Sequence, residues 1–201
     1  LARCLRLSGR GYADVQRALK FALQYFKRAG DWHQQCEVLF EAGNLAIDDA
    51  RWGRAQGAFN LMDRIARRHD ARLFRAMARV GLGVLHYWRS QSETDFDKAD
   101  EFLQQSLPEL KKAGRYALVL HTHRRLASVL FARGEYAKAR AEDERALAIA
   151  NDIRAIQQQS ECTRDIGTCE LNMARYQESI QRYLEASRIA ATATPNLKNL
   201  G

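Results

Sequence analysis

Residues 126–147 read LASVLFARGEYAKARAEDERAL, and the spacing of small and aromatic residues in this stretch recurs along the whole chain. Tyr136 follows a turn-like Arg133-Gly134-Glu135, and equivalent aromatics stand at Tyr12, Trp52, Phe96 and Tyr176, at intervals of 40, 44, 40 and 40 residues. Self-similarity at such a period marks a repeat architecture, in which each copy buries its apolar face only by stacking on its neighbours. The one irregular interval contains the polar run Ser90-Gln91-Ser92-Glu93-Thr94-Asp95, which reads as a four-residue loop insertion.

Each aromatic carries the same companions. Nine residues before it stand Gly43, Ala127 and Gly167, small enough for helices to approach closely. Three residues after it stand Val15, Ala55, Ala99, Ala139 and Ser179, and ten after it Ala22, Met62, Ser106, Ala146 and Ala186. Seven after it come Leu19, Phe59, Leu103, Asp143 and Tyr183. Offsets of 3, 7 and 10 trace one face of a helix, the face that packs on its partner.

Composition agrees. The 201 residues include only two prolines, Pro108 and Pro195, and are rich in Ala, Leu, Arg, Glu and Gln, which lose least on entering a helix. A hydrophobic content of 46% supports a continuous core. No apolar run approaches the roughly 20 residues of a membrane span, and the first residues do not form a signal peptide. Four cysteines at irregular spacing (Cys4, Cys36, Cys162, Cys169) do not suggest a disulfide framework, so a reducing, cytoplasmic setting is expected.

The formal charge of +8 is spread beside acidic residues, as on solvated helix faces, so nucleic acid is not the expected partner. The densest basic run, Arg64, Arg67, Arg68, Arg72, Arg75 and Arg79, is interrupted by a His69-Asp70 turn and reads as a solvated convex surface. His121 and His123 point about 200° apart around a helix and cannot grip one metal. Cys162 and Cys169, about 10 Å apart along a helix, read as small structural residues. Gly81-x-Gly83 lacks the rest of a dinucleotide fingerprint, no phosphate loop occurs, and no spacing announces a catalytic triad. Trp32 and Trp88 read as packing residues. No metal, cofactor or catalytic residue is expected.

Leu126-Ala127, Gly134-Glu135-Tyr136, Ala139 and Ala146-Leu147, repeated as Gly43, Trp52, Ala55 and Phe59, resemble the signature of the tetratricopeptide repeat (TPR). The resemblance implies an all-α fold: a right-handed superhelical array, or α-solenoid, of antiparallel helix pairs. One array over 1–201 is expected, with repeats at about 1–30, 31–70, 71–114, 115–154 and 155–194, residues 195–201 opening a further one, and the whole a segment of a larger protein. Helices are predicted at 11–29, 33–49, 53–68, 72–90, 95–113, 115–133, 136–152, 155–174 and 176–192, with a partial helix before Gly9. Gly30-Asp31, His69-Asp70, Gly114 and Asn151-Asp152 supply the turns. The period of 40, longer than the usual 34, is similar to that of kinesin light chains, Pins-type adaptors, and bacterial Rap-type or maltose-activator-type regulators. Asp143 departs from the motif's large apolar residue and is expected to be exposed or paired, since a buried lone carboxylate is costly.

In this family the first helix of each pair lines a concave groove. The resemblance places Phe40, Arg124 and Arg164 there, with Asn44, Ser128 and Thr168 one turn later and Asp48, Ala132 and Asn172 a turn beyond. Asn44 is similar to the asparagine that holds an extended peptide's backbone, since an amide satisfies both N–H and C=O. Arg124 and Arg164 either meet carboxylates of an acidic partner or are neutralised by Glu161 or Glu170. Glu37, Glu41 and Asp48 near the beginning and His121, Arg124 and Arg164 later imply a sign gradient that orients the partner. The implied function is a protein- or peptide-binding scaffold; the alternative is the ligand- or peptide-sensing segment of a bacterial transcriptional or signalling regulator.

Overall fold

A computed structural model of the chain describes residues 12–90 and 92–193. Among the described residues there are nine α-helices and no strand: α1 (Tyr12–Arg28), α2 (Trp32–Asp48), α3 (Trp52–Arg68), α4 (Arg72–Arg89), α5 (Glu93–Lys112), α6 (Tyr116–Ala132), α7 (Tyr136–Asp152), α8 (Ile156–Asn172) and α9 (Tyr176–Ala193). Every boundary lies within two residues of the predicted one. The partial helix expected before Gly9 lies outside the described residues.

The period has a simple origin. A 17-residue helix and a three-residue connection, taken twice, account for 40 residues. The interval of 44 is not a loop insertion as expected: its connection is also three residues long, and the extra four are absorbed as helix, α4 having 18 residues and α5 20. Most connections share one geometry. The middle residue takes positive φ at Gly30, Ala50, Asp70, Gly114, Gly134, Arg154 and Ala174, and the next N–H closes back on the preceding helix, as in Arg51 to Ala46 (2.8 Å) and Arg175 to Glu170 (2.9 Å). This Schellman arrangement satisfies carbonyls that the helix end would otherwise orphan. Asn151 and Asp152 therefore close α7, and the turn predicted there falls at Arg154.

The chain divides into two compact units, Leu1–Glu109 and Leu110–Gly201. The division falls in α5 just past Pro108, whose missing N–H leaves the Gln104 carbonyl without its helical bond.

In the first unit the buried face of α3 is Ala55, Phe59, Met62 and Ala66, all fully buried at helical spacing. Phe59 fills a slot between α2 and α4: a Cβ placed on Gly43 or on Gly81 would overlap its ring. Phe40 closes one side, its ring centroid 6.2 Å from that of Phe59, and Ala46, Ile47 and Leu85 complete the cluster. Gly83 does the same for Leu103 of α5, where an added Cβ would lie 2.7 Å from Leu103 Cγ. Gly83 is thus the third repeat's counterpart of Gly43, displaced from the expected nine-residue offset by the longer helices.

The motif aromatics do not all pack alike. Trp52, Phe96 and Tyr136 are half-buried, each near the end of the preceding helix: Trp52 on the Ile47 cluster, Phe96 at 6.4 Å from Tyr87, Tyr136 at 5.1 Å from Phe131. Tyr176 is 61% exposed, and the side chain of Tyr12 lies outside the described residues.

In the second unit Asp143 of α7 occupies the position that Phe59 holds in the first. The expectation that it is exposed or paired fails: it is only 4% exposed and no hydrogen bond reaches its carboxyl among the described residues. The register nonetheless stands, because Ala139, Ala146 and Ala150 on the same face are fully buried. Burial, with Asp165 of α8 and Glu142 of its own helix nearby, pushes the carboxyl up to about 8, against the opposing effect of Arg124 from α6. Near neutrality the buried group is therefore largely neutral, which avoids the cost of a lone buried charge.

Two outcomes follow from these cores. Gly81→Ala gains up to about 1 kcal/mol of helix propensity but overpacks the Phe59 slot at about 1–3 kcal/mol; urea denaturation is expected to show a net loss, largely recovered by Phe59→Leu in the same chain. For Asp143, the folded state holds a proton that the unfolded chain releases near the ordinary carboxylate value of 3.8, so stability falls as pH rises from there to about 8. The slope contributed is about 1.4 kcal/mol per pH unit. Thermal melts of Asp143→Asn should lack that part of the pH dependence; identical profiles would show that Asp143 does not titrate in this way.

Candidate functional site

In the first unit the positions expected to line the groove lie on α2 and α4. Asn44 is half-buried on α2, and its carboxamide makes no hydrogen bond among the described residues. Phe40 is partly committed to packing through Phe59, whereas Asp48 is exposed and Glu37 half-buried. The longer α4 and α5 shift the third repeat's matching positions away from the usual distance to Phe96. Counting forward from the helix start instead, Trp32 corresponds to Arg72, and the partners of Phe40, Asn44 and Asp48 become Val80, Val84 and Trp88. Val80 is buried and Val84 half-buried, while Trp88 packs edge-on against Tyr87 at 5.2 Å and still leaves 51% of its surface exposed, so packing accounts for only part of it. The face combines an open amide and a carboxylate on α2 with apolar groups on α4. Trp32 packs as expected, stacking on His69 at 4.5 Å and 8°.

In the second unit the positions expected to line the groove lie on α6 and α8, and most are already engaged. Arg124 donates to Glu161 and, at 3.0 Å, to Asp165, joining α6 to α8. One of the two expected neutralising residues, Glu161, is thus confirmed as a partner. Glu170 instead faces Arg140 at 3.4 Å, and Asp165 was not anticipated. Arg164 also donates to Asp165 (2.9 Å), the adjacent residue, but its side chain is 56% exposed. The Ser128 hydroxyl donates to the Arg124 carbonyl (3.0 Å) and the Asn172 amide to the Thr168 carbonyl (2.8 Å). Thr168 Oγ1 lies 3.1 Å from both the Arg164 carbonyl and the Tyr183 hydroxyl. His121 is exposed, while His123 is buried with Nδ1 2.7 Å from Glu142. The two imidazoles face different surroundings.

Cys162 and Cys169 are buried, and burial pushes both thiols up to about 12, far from reactive thiolates. The basic run is divided by Asp70 at positive φ between α3 and α4.

The sequence of residues 115–192 matches the family model described as tetratricopeptide repeat. No curated protein matches the sequence. Among solved structures, BtubC (BKLC) from P. vanneervenii is 17% identical with a TM-score of 0.77, the match covering 100% of this chain and 82% of that one. The apo form of RapI is 14% identical with a TM-score of 0.65, covering 90% and 78%. A putative kinesin light chain from Podosopora anserina, with nearly identical TPR-like repeats, is 15% identical with a TM-score of 0.66, covering 97% and 94%. Residues 115–192 are therefore tetratricopeptide repeats, and the described helices of the chain have the fold of that family's arrays.

Proposed function

We propose that the chain is a non-catalytic scaffold that binds a peptide segment of another protein on the α2–α4 face of its first unit. The observation that carries this reading is Asn44: a half-buried carboxamide with no hydrogen bond among the described residues, on a fold similar to that of a putative kinesin light chain with TPR-like repeats. A group so placed offers one donor pair and one acceptor to an extended backbone at little desolvation cost. Trp88 and Val84, at equivalent positions on α4, supply apolar area for a side chain of the same peptide, and aromatic anchors of this sort carry much of the energy in peptide recognition. In the second unit, an acidic group would meet Arg164, because Arg124 already holds two carboxylates.

The test is selection of binders from a displayed peptide library, followed by titration against variants whose helicity is checked by circular dichroism. Asn44→Leu and Trp88→Ala are each expected to weaken the selected peptides about tenfold or more. Arg164→Glu should weaken only acidic peptides, and only at low salt. Binders indifferent to both Asn44 and Trp88 would sink the assignment of this face.

A further inference from the structure

The first unit holds a second feature, separate from the α2–α4 face: a cavity of about 540 Å³ between α1 and α3, floored by α2. Its walls are apolar, with Leu19 and Leu23 from α1, Val38 and Leu45 from α2, and Leu61 from α3. Its opening is rimmed by Arg17, Lys20 and Arg54. Arg17 is paired with Asp14, whereas Lys20 and Arg54 make no ion pair among the described residues.

The cavity exists because of what α3 lacks. Gly57 and Ala58 face it, and a Cβ added at Gly57 would meet nothing within 4 Å. The equivalents of Gly57 in the other repeats are Arg17, Glu101, Ala141 and Gln181, none of them glycine. In the second unit the wall corresponding to Arg54, Gly57, Ala58 and Leu61 is Glu178, Gln181, Arg182 and Glu185, bulky and with a net charge of −1 in place of +1. A glycine inside an exposed helix costs about 1 kcal/mol against alanine, and packing does not require this one, unlike Gly43 and Gly81.

We propose that this slot is a binding site for a small amphiphilic anion: an aliphatic body with a carboxylate or similar head group. Its volume is that of a small-ligand pocket, apolar with a few polar groups at the mouth. The apolar walls take the body, and Lys20 and Arg54 take the head group. The lining spans Gln16–Leu23 on α1 and Arg54–Leu61 on α3, about 12 Å in each case. That is too short a furrow for a stable protein interface, which needs about 1,000 Å² or more.

Dodecanoate is the probe, with dodecanol as its uncharged counterpart, each titrated calorimetrically into the 201-residue chain below micelle-forming concentration. Dodecanoate should bind with one site and dodecanol about tenfold or more weaker. Gly57→Leu, at a position where an added Cβ meets nothing within 4 Å, should fill the slot and abolish binding while leaving the melting temperature unchanged or higher. Lys20→Glu with Arg54→Glu should weaken dodecanoate about tenfold and leave dodecanol as it was. Equal binding of the two probes, undiminished binding by Gly57→Leu, or no binding of dodecanoate overturns the proposal. Uptake of an acidic amphipathic helical peptide in place of dodecanoate, blocked by Gly57→Leu, would also overturn it and assign the slot to a protein partner. None of these outcomes depends on Asn44 or Trp88, so the slot and the α2–α4 face stand or fall separately.

Discussion

The close approach of α2 and α4 around the ring of Phe59 is the contact on which the first unit is built. Two glycines, Gly43 and Gly81, leave room for one aromatic side chain and for nothing more. A buried phenylalanine contributes about 1.5–3 kcal/mol through removal of its surface from water, and more where the fit leaves no void. The fit also sets geometry. Because the ring is gripped from both sides, α3 cannot rotate or slide against its neighbours without opening a cavity, and interiors packed to crystal density resist that. Uniform three-residue connections act in the same direction, since each fixes where the next helix begins relative to the last. The result is a pair of leading helices, α2 and α4, held with matched positions facing the same way, which is what a binding face of spaced side chains needs.

The second unit solves the same packing problem with polar groups. Asp143 stands where Phe59 stands, Arg124 where Phe40 stands, and Asp165 where Gly81 stands. An aromatic wedge seated against glycine has become a neutral carboxyl beside an arginine shared by two carboxylates. Such a cluster is a weaker source of stability than the aromatic one, because desolvation offsets much of the Coulomb attraction. It is a stronger constraint on partner choice between helices: Arg124 has an imposed geometry, and removing it takes away the cation that Glu161 and Asp165 share. Arg124 therefore acts chiefly as a strut between α6 and α8.

Periodicity was enough to read nine helices to within two residues, because a fixed face must be buried every 40 residues and the spacing of alanines and glycines records it. What it could not record was where four extra residues go. The polar run after Ser90 has the composition of a loop, but Glu93, Thr94 and Asp95 are also good first-turn residues for a helix, and α5 takes them. That single ambiguity hid two things. The nine-residue offset does not pair Gly83 with Leu103, although that glycine, like Gly81, serves packing. For the same reason the offset does not match Val84 and Trp88 to Asn44 and Asp48. Asp165 was missed differently: contacts between successive leading helices join residues 41 apart, and nothing local in the sequence distinguishes Asp165 from Glu161 or Glu170 as the acid that Arg124 reaches. Asp143 marks a further limit, since sequence shows a departure from the motif but not whether the protein moves the residue or neutralises it.

The ability of each position to recognise a partner depends less on its chemical type than on whether its bonding capacity is already used. Ser128, Thr168 and Asn172 are polar and lie on leading helices, yet each is bonded to its own helix's backbone, and a ligand gains from them only the difference between two comparable hydrogen bonds. A ligand carboxylate approaching Arg124 must displace Glu161 or Asp165, leaving that group to be resolvated or paired again, so the net gain is small even though the guanidinium is charged. Asn44 differs because its amide is uncommitted among the described residues, and Trp88 differs because half of a large apolar surface is exposed to water even with its ring edge-on to Tyr87 at 5.2 Å. Judged by the difference between free and bound states rather than by charge, the first unit is the better candidate for the proposed recognition surface despite carrying fewer charges at the matched helix positions. Its selectivity would then come from backbone geometry and side-chain shape, with electrostatics governing approach.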